Sequence, residues 1–416
     1  MDVVIAGGGV AGLEGLLALR ALAGDRVDLT LVAPDPEFTY RPLAVAEPFA
    51  LGHAHHVPLS QFADEAGAEL VIDATVGVAD GRGELRLRDA GSRSYDALLV
   101  APGANAVAGV EKATTWWPGG DPEVYGGLLR DMDEGYAKRI AIVVPPGAVW
   151  PLPAYELALM TAGEARDMGH DDVTVTVVTP ERRALSLFGE EAGEAVAEEL
   201  ANAGVELRTG AVARREGGAL VLEPAGERLE VQRVFAVPRL VGPGIEGLPV
   251  DEEGFIVADE DGRVEGAERT WAAGDAVVSP LKFGGLATHQ ARRAAASIAR
   301  AAGVENVPDP GEPVIHGRLL TGRGTRRLRG RGDAKGAPLW WPQGKIAGEY
   351  LPRWLTEHGV TPPAAEEPEE GITVHRPISE LPTHELEYLH GLAREFRSAD
   401  PAIASLGRHM REARER

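Results

Sequence analysis

Six residues near the start of the chain constrain its fold more than any other feature. Asp2–Ala6 reads DVVIA, a short buried strand, and Gly7, Gly8, Gly9, Val10, Ala11 and Gly12 follow it in the spacing G-x-G-x-x-G. Leu13–Leu22 continues as an apolar helix, and Val27–Val32 supplies a second strand. Glycines at that spacing, at a strand-to-helix turn inside a βαβ unit, meet a geometric need. Gly7 permits the tight turn, Gly9 lets backbone approach a pyrophosphate, and Gly12 lets the helix pack on the strand. Free N–H groups at the helix start then face the phosphates. The acid that usually closes the second strand and binds ribose hydroxyls is missing. Ala33 stands there, and Asp35 follows two residues later. Either Asp35 on a shifted loop or backbone groups would take that role. Phe38, Tyr40, Arg41 and Pro42 form a polar-aromatic loop suited to the edge of a pyrophosphate or flavin.

Two downstream segments bear on which dinucleotide binds. Tyr95–Gly103 (YDALLVAPG) reads as a strand ending in a small-residue turn, and Thr270–Asp275 (TWAAGD) as a short strand ending in Gly-Asp. They resemble the later FAD fingerprints of glutathione-reductase-like flavoproteins, the first with Pro102 in place of the usual threonine. Val178–Gly189 (VTPERRALSLFG), Pro280–Ala291 (PLKFGGLATHQA) and Leu339–Leu351 (LWWPQGKIAGEYL) narrow the resemblance. It lies with the branch holding sulfide:quinone oxidoreductases, flavocytochrome c sulfide dehydrogenase and type II NADH dehydrogenases, and runs from Asp2 to about residue 358.

The resemblance implies an α/β protein with two Rossmann-like, glutathione-reductase-type domains. The FAD domain is discontinuous, over 1–110 and 240–307. A second nucleotide-binding-like domain spans 111–239, a flavin-cover or interface segment 308–360, and an acidic linker with a helical tail 361–416. FAD is the implied cofactor, set among Gly7–Gly12, Asp35, Arg41, Pro42, Val76, Ala101, Gly103, Gly274, Asp275, Lys282, Gly285 and Leu286. Asp275 would hold the ribityl hydroxyls. Gly284, Gly285 and Leu286 would open a helix whose dipole faces the flavin N1/O2 edge. Lys282 would add fixed positive charge there, or it is a solvated loop lysine. His289 is a candidate for proton handling, or a satisfied helix residue.

The second domain begins with the strand Lys138–Val144 and an apolar helix from Ala154 to Ala162. Between them, where a second glycine fingerprint would bind NAD(P)H, stand Pro145, Pro146, Gly147, Ala148, Val149, Trp150 and Pro151. Prolines offer no N–H to a phosphate, and Trp150 crowds the turn. A scaffold that no longer binds nucleotide is the favoured reading, although Glu181, after the strand Val173–Val178, stays open as a ribose ligand. The turn resembles that of sulfide:quinone oxidoreductases, in which a catalytic cysteine follows it. This chain has no cysteine at all, so cysteine polysulfide chemistry, disulfides and thiolate metal sites are excluded.

The net charge is −22, which disfavours nucleic acid and anionic lipid as main partners. No apolar run is long enough to span a bilayer, and no leader segment precedes the first strand, so cytoplasmic residence is expected. Peripheral membrane contact and a homodimer stay open. The histidines His53, His55 and His56 lie in a loop without carboxylates in helical register, and no metal is expected. Thr321–Gly336 is rich in glycine and arginine and reads as a solvated hairpin loop, or as a dock for an acidic partner or a lipid surface. Trp340 and Trp341 precede a helix carrying Ile346, Tyr350, Leu351, Trp354 and Leu355. With Trp150 they are candidates for a substrate or quinone pocket, against plain packing.

Taken together, the chain is expected to be an FAD-dependent oxidoreductase passing electrons to a quinone or other small organic acceptor. Two alternatives stay open: a non-catalytic flavin-binding partner subunit or sensor, and an NAD(P)H-dependent reductase of a carrier protein.

Overall fold

The computed structural model describes residues 1–148, 150–315, 317–321 and 345–361, with short backbone stretches at 325–327 and 376–377. The chain enters through the strand Asp2–Ala6, the helix Val10–Ala23 and the strand Asp28–Ala33. It adds Ala68–Ile72 and Ala97–Val100, crosses into a second unit, and returns through the strand Thr270–Ala272 and the helix Gly284–Ala301. The first sheet is parallel, ordered 270–272, 97–100, 2–6, 28–33, 68–72.

Alternation along these strands sorts the side chains into two layers. Val3, Ile5, Leu29, Leu31 and Leu99 pack against the helices Val10–Ala23 and Gly284–Ala301. Val4, Ala6, Val32, Leu98 and Val100 pack on the other face with Val78 and Leu85. The latter two belong to an antiparallel sheet of Thr75–Ala79, Glu84–Leu87 and Ser92–Ser94. A sheet covered on both faces needs near-continuous apolar strands, and DVVIA and ALLV supply them.

The second unit repeats the plan. Its parallel sheet is ordered 114–115, 233–236, 139–143, 174–178, 205–208. The helices Leu152–Asp167 and Glu190–Asn202 lie on one face, and the antiparallel sheet 212–216, 219–223, 227–230 on the other. Asn105–Val107 and Arg239–Val241 pair antiparallel where the chain crosses between units. The seam is apolar: Val45, Ala46 and Phe49 of the first unit and Leu281, Phe283 and Leu286 of the return segment belong to the second unit's core cluster.

The C-terminal stretch departs from expectation. Among the described residues 345–361, the helix is Leu351–Glu357, and residues 345–350 approach it without helical structure. Gly348 and Pro352 explain the late start, since proline is tolerated in the first turn of a helix but not in its interior. The pocket candidates Trp340 and Trp341, most of the arginine-rich stretch and nearly all of the tail lie outside the described residues.

Candidate functional site

Three segments far apart in sequence meet at the carboxyl edge of the first sheet. Strand register sets this up, because Ala6 pairs with Val100 and Val100 with Ala272, so the loops after all three leave from one level. Gly7 has φ +138°, and a Cβ on it would lie 2.0 Å from the Ala101 carbonyl oxygen. A Cβ on Gly12 would lie 1.8 Å from the Gly7 oxygen, and one on Gly274 would lie 2.8 Å from Ala11 Cβ. By contrast, a Cβ on Gly9 would meet nothing within 4 Å. Gly9 and Val10 therefore border open space at the helix start, with Gly7 and Gly12 packed too closely for any side chain. Gly8 lies against Leu59 and Ala33. Among the described residues the cradle fits a pyrophosphate.

Asp275 sits in the turn after Thr270–Ala272, half-buried, and its carboxylate has no hydrogen-bond donor among the described residues. Burial raises its pKa, while Lys282 and Arg41 pull it down. The Gly274 N–H donates to Gln290 Oε1 at 2.9 Å, which ties this turn to the return helix. Lys282 is buried rather than solvated. Its Nζ donates to the Val277 carbonyl at 2.5 Å and lies 4.0 Å from the Phe255 ring centre. Burial brings its pKa down to about 8, against the pull of Asp275, Asp251 and Glu253.

His289 is also buried. Burial and then Arg292 and Arg293 hold it at about 4, so it is neutral at neutral pH. Leu286 is buried in the core at the seam, and Gly285 packs near Phe283 and Ala347. Gly103 has φ +80° and Ala101 is buried under the Gly7 turn. Asp35 and Arg41 are exposed and Pro42 half-buried. Val76 is exposed at 41%, beside a register shift in the antiparallel sheet.

In the second unit the acid that follows the strand Thr174–Val178 points into the core. Glu181 is 0% exposed, and its Oε2 accepts from Tyr155 OH at 2.5 Å and Thr179 Oγ1 at 2.9 Å. Tyr155, Leu185 and Phe188 around it are themselves fully buried. Trp150 stacks on Phe283 at 4.7 Å and 15°, and meets Phe188 edge-on at 5.6 Å. The tryptophan thus packs against the rings of Phe188 and of Phe283, the residue before the return helix.

Two buried acids bind the stretch 345–361, here called the clasp, to the two units, and sequence reasoning missed both. Glu156, on the helix Leu152–Asp167, accepts from Lys345 Nζ at 2.5 Å and from the Leu320 N–H at 3.0 Å. Burial raises its pKa, opposed chiefly by Lys345. Glu14, on the first helix, accepts the N–H groups of Glu349, Tyr350 and Leu351 at 2.6–3.2 Å. The available signal was an acid flanked by apolar residues, as in VAGLEGLLAL. Among the described residues, no group of three or more histidine or carboxylate side chains is arranged to hold a metal ion.

This geometry suits a dinucleotide, and the family match agrees. Residues 1–303 match the pyridine nucleotide-disulphide oxidoreductase family, and the chain belongs to it. It is an FAD-dependent oxidoreductase. The fold is similar to that of the sulfide:quinone oxidoreductase of Aquifex aeolicus, with TM-score 0.70 and 19% identity over 79% of this chain and 83% of that one. A ferredoxin reductase from Rhodopseudomonas palustris gives 0.59 at 19% identity, over 78% and 81% of the two chains. NDH2 from Plasmodium falciparum gives 0.54 at 15% identity, over 66% and 64%. No curated protein sequence matches the chain. No helix among the described residues is long and apolar enough to cross a membrane.

Proposed function

We propose that this oxidoreductase passes electrons to a quinone or another small organic acceptor, using neither cysteine nor a nicotinamide held on the second sheet. The observation that carries the reading is the contrast between its two dinucleotide turns. The first is a glycine cradle meeting Ala101 and Gly274; the second is Pro145–Pro146 with its acid sealed under Tyr155 and Trp150 stacked on Phe283. A turn without N–H donors loses the main attraction for a pyrophosphate. The similar fold of a sulfide:quinone oxidoreductase supports the choice of acceptor.

FAD, when bound, supplies the electron-transfer chemistry. The chain's part is to hold and tune it. Gly9 and Val10 would take the pyrophosphate and Asp275 the ribityl hydroxyls. The start of the helix Gly284–Ala301 and Lys282 would set positive potential at the flavin's N1/O2 edge. Neutral His289 would serve as a hydrogen-bonding group rather than as an acid.

The test is reoxidation. Protein reduced with one equivalent of dithionite is mixed anaerobically with a soluble short-chain ubiquinone, and flavin absorbance is followed. Return of the oxidised spectrum within seconds, saturating with quinone, is expected. A spectrum that stays bleached while ferricyanide restores it would remove quinone as the acceptor.

A further inference from the structure

Glu14 is wholly buried in a helix whose one other charged residue is Arg20 in the last turn, a costly place for a carboxylate unless several donors meet it. The donors that do so come from more than 330 residues away, as successive backbone N–H groups of Glu349, Tyr350 and Leu351. Leu351 opens the clasp helix, whose first N–H groups have no acceptor within it. Arg292, from the return helix, bridges the same point, 3.7 Å from Glu14 Oε1 and 3.2 Å from Glu349 Oε2. The clasp then presses on the first turn of the return helix. Ile346 leaves no room for a side chain on Gly284, with Cγ1 2.9 Å from where a Cβ would stand. Thr288 Oγ1 donates to the Ala347 carbonyl at 2.5 Å.

We propose that Glu14 is a positioning residue for the flavin. It docks the clasp, and the docked clasp fixes the first turn of the helix Gly284–Ala301 that faces the isoalloxazine edge. Glu14 lies four residues beyond Val10, so one side chain couples the start of the phosphate helix to the start of the flavin helix. An apolar residue would fill the same volume at less cost but would leave three buried N–H groups without an acceptor. The proposal rests on the reading that the Gly274–Gly285 region faces the flavin.

The test measures FAD dissociation rate and flavin midpoint potential in wild type, Glu14→Ala, Glu14→Gln and Asp275→Ala. Glu14→Ala is expected to release FAD about tenfold faster or more and to shift the potential. Glu14→Gln keeps an acceptor oxygen and is expected to recover most of both. A Glu14→Ala protein of lowered thermal midpoint but unchanged release rate and potential would overturn the proposal, as would a glutamine variant no better than alanine. Should Glu14→Ala fail to fold, Thr288→Val, at the far end of the same contacts, decides in its place. Faster release with a shifted potential supports the proposal, and unchanged values overturn it. Asp275→Ala separates the two readings: if it retains FAD fully, the cofactor assignment itself has failed. If it loses FAD while Glu14→Ala behaves as wild type, only the role of Glu14 has failed.

Discussion

His289 lies on the helix beside the proposed flavin site, yet its surroundings set its chemistry more than its position does. Its Nε2 is buried without a hydrogen-bond partner among the described residues, and it is held at about 4. The unfolded chain takes up a proton near the ordinary histidine value of 6.5, whereas the folded chain does so only near 4. Between those values the unfolded state binds more protons, so stability falls as pH is lowered. Replacing His289 with leucine should flatten that slope. In urea titrations, the stability gap between wild type and His289→Leu should change by about 3 kcal/mol between pH 6.5 and pH 4. Parallel curves for the two proteins would show that the imidazole is protonated at its ordinary value. Glu181 teaches the same lesson: the sequence puts an acid at the ribose-binding position, but Tyr155 and Thr179 take its carboxylate inside the core.

Elements with strong local signatures were legible in the sequence. The phosphate turn needs Gly7 and Gly12 because backbone oxygens stand within 2.0 Å of where their Cβ atoms would be. Gly12→Ala should therefore push the helix Val10–Ala23 off the strand Asp2–Ala6. FAD occupancy after purification should drop by about tenfold or more, since displaced N–H donors forfeit charge-assisted hydrogen bonds of 1.5–3 kcal/mol each. Full occupancy in that variant would mean the turn does not carry the pyrophosphate. The clasp was not legible in this way. Ile346, Tyr350, Leu351, Trp354 and Leu355 have helical spacing, but Gly348 and Pro352 restrict the helix to Leu351–Glu357. The apolar pattern there records packing on Phe62 and on the return helix, with Trp354 3.8 Å from the Phe62 ring. Glu14 and Glu156 were missed because a buried acid's partners are set by tertiary contacts, which spacing along one helix does not encode.

At the scale of the molecule, two units of like topology carry different turns. Each is a parallel sheet between helices and a three-stranded antiparallel sheet, and each opens a helix after its first long strand. One turn is glycine with room beside Gly9; the other is proline with Trp150 stacked on Phe283 across the seam. The seam shares an apolar cluster between the units, which ties the second unit to the segment that leads into the return helix.

The most direct measurement is an anaerobic titration of the FAD-loaded protein with NADH and then NADPH, following flavin absorbance, with dithionite as the final addition. The closed second turn predicts no bleaching by either nucleotide and full bleaching by dithionite. Stoichiometric bleaching by micromolar NADH or NADPH would contradict it and would mean that Trp150 and the Pro145–Pro146 turn open to admit a nicotinamide.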